Sequence, residues 1–299
     1  MSKLSPSLKA LINAPFARPG QTPAPRHIRD IYARIAREAG ERRYGYRPWV
    51  ALSAAATITL NSPASLLILH SLASTLPSSP LSPLTTFELL REIGLKCISF
   101  NGIPRTINTL AAFRAALASE PWFSQTATAP TRHPGSSPSN SPTAIAARAR
   151  KLWTSIYTPF DAKLEARLAE SHPDLPVHIL SSHYGPLLSD PEDGPRGGLA
   201  TVGRTMTSVV AIASLRAQTG VGPQVVSHVF GLRKGVEQGM HREEFSAVEE
   251  EEEREGVERL ATDEGCEWLL RSVDAIAEAI AAEGGGFGRW EGRGREGKL

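Results

Sequence analysis

Apolar residues along this chain recur at helical rather than strand spacing. Between Glu88 and Arg114 two such runs flank a Gly102-Ile103-Pro104 break. Leu89, Ile93, Lys96 and Cys97 fall on adjoining turns of the first, with Leu90 at its flank; Ile107, Leu110, Ala111 and Arg114 repeat along the second. Glycine accepts backbone angles closed to other residues and proline suits the first turn of a helix, so this stretch reads as helix, tight joint, helix. Asn101, Arg105 and Asn108 beside the joint either face a cavity or satisfy the open helix ends.

Upstream, Pro6, Pro15, Pro19, Pro23 and Pro25 break residues 1–26 into an extended arm in which only Leu8 to Ile12 has room for a helix. His27 to Arg43 is amphipathic, with Ile28, Ile31, Tyr32, Ile35 and Ala39 on one face and basic residues on the other. Trp49 to Leu60 is an alanine-rich apolar helix stopped by Asn61-Ser62-Pro63. Ser62 is placed to cap the next helix, Ala64 to Thr75, which carries His70 at its middle. Ser124 to Pro142 is dense in Ser, Thr and Pro, too polar to build a core, and reads as a disordered linker or long surface loop. Helical pattern resumes from Ala144 to Ser171, with Pro159 as a kink, and an irregular connection from Pro176 to Leu188 carries His178, His183 and Tyr184. Ala200 to Gln218 is a second very apolar helix. After the Thr219-Gly220-Val221-Gly222-Pro223 break, Gln224 to Gly235 bears His228. Glu243 to Glu258 is acid-dominated and reads as a solvated helix or loop, and Trp268 to Ala282 is a last amphipathic helix.

No strand alternation appears, so the predicted class is all-α. One order recurs. Val50 to His70 and Val209 to His228 each run apolar helix, short break, apolar helix with one histidine, and each is followed by a further apolar helix. The expected organisation is an arm (1–26), a first helical unit (27–120), a Ser/Pro-rich linker or loop (121–143), a second unit (144–283) and a flexible tail (284–299).

Composition changes this picture little. The 299 residues carry a net charge of +2, which gives no reason to expect a nucleic-acid partner. No apolar stretch reaches the roughly 20 residues that a membrane span needs. The two cysteines, Cys97 and Cys266, form no Cys-x-x-Cys pair and sit in helical pattern as small buried hydrophobes. The ends suggest addresses. The arm is basic and has no acid before Asp30, like a mitochondrial transit peptide, and Gly297-Lys298-Leu299 differs from a peroxisomal Ser-Lys-Leu only at its first position; otherwise the chain is cytoplasmic.

Candidate chemistry centres on the two histidines. A neutral imidazole near its ordinary pKa moves protons at physiological pH, and Arg47, Arg105 or Arg114 has the geometry to hold a carboxylate. Against that stands a packed histidine on an apolar face. His172, His178 and His183, with Asp174 and Asp190, match no zinc spacing, so no metal site is assigned. Gly220-Val221-Gly222 and Gly284-Gly285-Gly286 lack the strand context of a phosphate loop.

Helix, break, histidine helix, further helix, then the Phe100-Asn101-Gly102-Ile103-Pro104-Arg105-Thr106-Ile107-Asn108 joint resembles the carboxymuconolactone decarboxylase and alkylhydroperoxidase-D-like superfamily. The better match covers Arg47 to Leu117 and the weaker one Val202 to Ala282. The resemblance implies an all-helical, homo-oligomeric protein. The peroxidase branch of that superfamily carries Cys-x-x-Cys before its histidine; here Pro63 and Leu66, or Val221 and Gln224, hold those positions. Thiol peroxidase activity is therefore disfavoured. The decarboxylase branch keeps a histidine without thiols. It implies histidine acid/base chemistry on a small carboxylate or lactone at His70 and His228, with Arg47, Arg105 and Asn108 binding substrate and no cofactor. The competing expectation is a non-catalytic helical scaffold or oligomerisation protein.

Overall fold

The computed structural model describes residues 4–283 apart from 18, 78, 193–195, 246, 248 and 249. The described residues form an all-α fold with no strand. In chain order the helices are α1 (Pro6–Ile12), α2 (Ile28–Glu41), α3 (Tyr46–Thr59), α4 (Pro63–Thr75), α5 (Pro83–Asn101), α6 (Ile103–Ala116), α7 (Pro142–Tyr157), α8 (Asp161–Ser171), α9 (Asp174–His178), α10 (Arg204–Gln218), α11 (Gly222–Glu237), α12 (Met240–Glu244), α13 (Glu251–Leu260) and α14 (Asp263–Glu283). A π-helix, Ile179–Leu188, continues α9 without a break, so the segment expected to be irregular is helical.

The helices α3 and α10 are apolar on every face, and such helices belong in the middle of a fold. They pack directly on each other, and α5 and α14 each touch both. One continuous core therefore draws on both halves of the chain, from Ile28 and Trp49 to Val210, Leu269 and Ile276. A smaller cluster of Trp153, Ile156, Tyr184 and Leu188 joins α7 to the π-helix. No described helix is long and apolar enough to cross a membrane.

The recurring order has a backbone counterpart. Gly45 precedes α3 at φ +83, ψ 169, and Gly203 precedes α10 at φ +83, ψ 175. Asn61 after α3 and Thr219 after α10 are both at positive φ, 55 and 65. His70 and His228 follow at the same interval: 203 minus 45, 219 minus 61 and 228 minus 70 are each 158.

Both central helices are capped from outside the local sequence. The Glu253 carboxylate accepts from the backbone N–H of Tyr46 (2.8 Å) and Arg47 (3.1 Å). The Glu244 carboxylate accepts from the N–H of Thr205 (2.7 Å) and Met206 (3.1 Å) and from the Thr205 hydroxyl (2.5 Å). The open N–H groups and positive end of a helix dipole favour such an anion. A Cβ at Gly45 would stand 2.7 Å from Glu253 Oε2, and one at Gly203 would meet the Glu244 side chain. These two positions require glycine both for their angles and for the approach. The acid-rich segment departs from its reading as a solvated face at Glu244 and Glu253, which are drawn in by unpaired amides, while Glu243, Glu251, Glu252 and Glu258 stay exposed.

Ser62 stands at the N-cap of α4, but its side chain makes no capping bond. Its hydroxyl pairs with Ser65 Oγ (2.8 Å) instead. The joint residues take the helix-end role: Arg105 donates to Thr59 O (2.6 Å), Asn101 donates to Thr59 Oγ1 (2.9 Å), and Asn108 O accepts from Gln21 (3.1 Å). Gly102 sits at φ +84, which lets the chain turn between α5 and α6.

The Ser/Pro-rich segment, residues 121–143, is a surface loop strapped across α5. Ala127 N–H donates to Glu88 (2.9 Å), Arg132 pairs with Glu92, and the nearly buried Asn140 donates to Thr131 O (2.9 Å). The tripeptide Gly297-Lys298-Leu299 and the tail from residue 284 lie outside the described residues.

Candidate functional site

His70 is buried in a cage of rings. Phe113, Trp122 and Phe87 lie 5.7, 5.6 and 6.4 Å away, and the His70 Nε2 pairs with Pro83 O at 2.9 Å. Burial lowers its pKa, partly offset by the Pro83 carbonyl and by Glu120. The neighbours of this imidazole are three aromatic rings and one backbone carbonyl, and no charged group pairs with it among the described residues.

The corresponding histidine of the second unit has different neighbours. His228 on α11 is 5% exposed, its Nδ1 is buried without a hydrogen-bond partner, and Phe100 (5.8 Å) and Tyr157 (6.4 Å) are its ring neighbours. Burial, and then the nearby Arg204 charge, push its pKa down to about 4. This imidazole is therefore neutral at pH 7.

Arg204, the first residue of α10, donates to Ser155 Oγ (2.6 Å), Ser208 Oγ (2.8 Å), Ser155 O (3.2 Å) and Gly231 O (3.0 Å). All four are neutral. Among the described residues no carboxylate forms an ion pair with it. One N–H on Nη1 has no acceptor among the described residues, since a guanidinium carries five donors and four are used. Burial lowers the Arg204 pKa to about 10, opposed by Glu244 and by Tyr184 and Tyr157. The Tyr157 and Tyr184 hydroxyls share a 2.8 Å hydrogen bond, and burial raises both pKa values, so both phenols keep their protons. Glu244, behind the N-terminus of α10, is itself pushed up to about 7, by burial against the pull of its Thr205 and Met206 donors.

Four polar groups from four elements therefore meet: Tyr157 of α7, Tyr184 of the π-helix, Arg204 of α10 and His228 of α11. Position 204 matches Tyr46 in the first unit (204 minus 46 is 158), and there the hydroxyl donates to Ala73 O at 2.5 Å. Of the paired positions, only the second unit joins a guanidinium to its histidine.

The other sequence candidates lie elsewhere. Arg47 pairs with Glu250 (2.9 Å) and covers the Phe245 ring, Arg105 is committed to Thr59 O, and Asn108 is exposed, bonded through its backbone carbonyl to Gln21. None of these three shares a partner with either histidine. Arg114 lies over Phe123. His178 and His183 approach each other (5.4 Å between ring centroids), but their side-chain partners are Ser182 and Ser99, and no group of three or more metal-ligating side chains occurs among the described residues. Cys97 and Cys266 are buried free thiols, and burial pushes Cys97 up to about 12. Sequence reading missed Arg204, Tyr157 and Tyr184. The available signal was an arginine at the first position of a helix whose middle is apolar.

Two surface grooves are also described. One, of about 380 Å³, runs between α2 and α14 past Arg42, Glu264 and Trp268; the other, of about 460 Å³, lies between α5, α6 and the strap. Neither is lined by His70 or His228. Comparison of the chain with known protein families, curated proteins and solved structures found no match.

Proposed function

We propose that the protein acts on a small carboxylate or lactone by histidine acid/base chemistry, and that the working site is His228 with Arg204, Tyr157 and Tyr184. The observation that carries this reading is the Arg204 guanidinium, hydrogen-bonded only to neutral groups among the described residues, beside an imidazole with an unpaired Nδ1. A partly buried guanidinium without a salt bridge is under-compensated, and an anionic ligand offsets that cost. Arg204 holds the substrate carboxylate through its open Nη1 N–H. The neutral His228 accepts a proton from carbon next to a carbonyl and returns it, and the Tyr157–Tyr184 pair donates to the oxygen on which charge develops. The low pKa makes His228 a weak base in the empty protein. A bound anion beside it raises that pKa toward the working range. His70, enclosed by rings, fills space in this reading. Likeness to the decarboxylase branch rests on the order of helices and the joint, and self-association belongs to the same reading.

The test is thermal unfolding of the full chain with benzoate as probe. Ligand that binds only the native state raises the melting temperature. Wild type and His70→Leu are expected to gain with benzoate, and His228→Gln to lose the gain. An unchanged melting temperature in wild type supports the alternative, a helical scaffold without catalysis.

A further inference from the structure

The helix α5 buries three charged side chains at i, i+4 and i+8, Glu88, Glu92 and Lys96, at 1%, 3% and 0% exposure. Glu88 is matched by Arg91 at 2.9 Å. Around the other two a buried network forms. Lys96 Nζ lies 3.2 Å from Asp190 and donates to Leu188 O at 2.5 Å. Arg132 of the strap bridges Glu92 and Asp190, the latter at 3.1 Å. Arg196 reaches Glu92 at 3.4 Å and Asp190 at 3.7 Å. Among the described residues three cations thus face two carboxylates, and the Nε atoms of Arg132 and Arg196 are buried without a partner. Charges this deep are ordinarily matched, so a surplus cation marks a place for an anion.

The groove of about 460 Å³ opens on this network. Arg132, Glu92, Arg91, Thr131 and His133 are among its polar lining, and Leu95, Leu110 and Leu199 among its apolar lining. Its size falls in the range of roughly 300–1,000 Å³ common for small-molecule sites. We propose that this groove binds an amphiphilic monoanion, a carboxylate with an aliphatic chain. The head lies against Arg132 and the body on Leu95, Leu110 and Leu199. It is a second site, built by α5, α6 and the strap, and it shares no residue with the His228 cluster.

Calorimetric titration of the full chain with hexanoate, and with neutral hexanamide as its match in shape, tests this. Hexanoate is expected to bind at least tenfold more tightly than hexanamide. Ala129→Trp, at an exposed strap position on the groove rim, is expected to abolish the binding, and His228→Gln to leave it unchanged. Arg132→Gln removes the head contact but also opens the Glu92 pair, so Ala129→Trp carries the decision. Equal affinity for hexanamide, no heat with hexanoate, survival of binding in Ala129→Trp, or its loss in His228→Gln would overturn the proposal.

Discussion

His228 and Glu244 respond to acid in opposite directions, and substitution separates them. The His228 pKa falls from 6.5 to about 4 on folding, so between those values the unfolded chain binds the extra proton and stability drops as pH falls through the window. The Glu244 pKa rises from 4.5 to about 7, so its native form takes up the proton first and stability grows as pH falls over the same range. Each shift of about 2.5 units, at about 1.4 kcal/mol per unit, yields about 2–3 kcal/mol between pH 7 and pH 4.5 after allowing for partial titration at the ends. In wild type the two contributions nearly cancel. His228→Gln removes the acid-labile one, so its stability should rise relative to wild type by about 2–3 kcal/mol on going from pH 7 to pH 4.5. Glu244→Gln should fall by a similar amount over that step. Urea unfolding of the three proteins at both pH values measures this, with midpoints compared at constant m. A His228→Gln protein whose pH response matches wild type would refute the burial argument for the imidazole.

Gly203→Ala sets a Cβ at φ +83 against Glu244 and should cost about 1–3 kcal/mol in urea unfolding, whereas Gly40→Ala, in open space within α2, should be neutral or slightly stabilising. Asp190→Asn leaves the buried Lys96 and Arg196 and the partly buried Arg132 facing Glu92 alone and should destabilise more than Lys96→Met, which leaves two against two; melting temperatures rank them. Cys97 and Cys266 should resist a thiol-specific chromogenic reagent in native buffer and react fully in guanidinium, since both thiols are buried and raised in pKa.

The helices were legible because the pattern is strong. Trp49 to Leu60 and Ala200 to Gln218 are apolar on all faces, and such runs find the centre of a fold whatever else the chain does. The pairing of His70 with His228 was legible as order, and the backbone adds the common interval through Gly45 and Gly203. The difference between the two histidines was not. It depends on Trp122 and Phe113 closing over one ring and on Arg204 standing beside the other, contacts between segments far apart in the chain. Tyr157 and Tyr184 were likewise separate residues until α7 and the π-helix packed together. The charges of α5 carried a visible signal, since Glu88, Glu92 and Lys96 share one helical face with Leu89 and Ile93. Their partners on the strap and at Asp190 and Arg196 had none. The capping glutamates were hidden for the same reason, as two acids among many until open amide ends selected them.

The most direct measurement is a titration of the full chain with benzoate at pH 5.5, followed through the ring signals of labelled histidines. Binding of the carboxylate at Arg204 should raise the His228 pKa, move its ring signals toward the protonated form and leave those of His70 in place. Ring signals of His228 that stay fixed at saturating benzoate, or that move no more than those of His70, would contradict the assignment of the site.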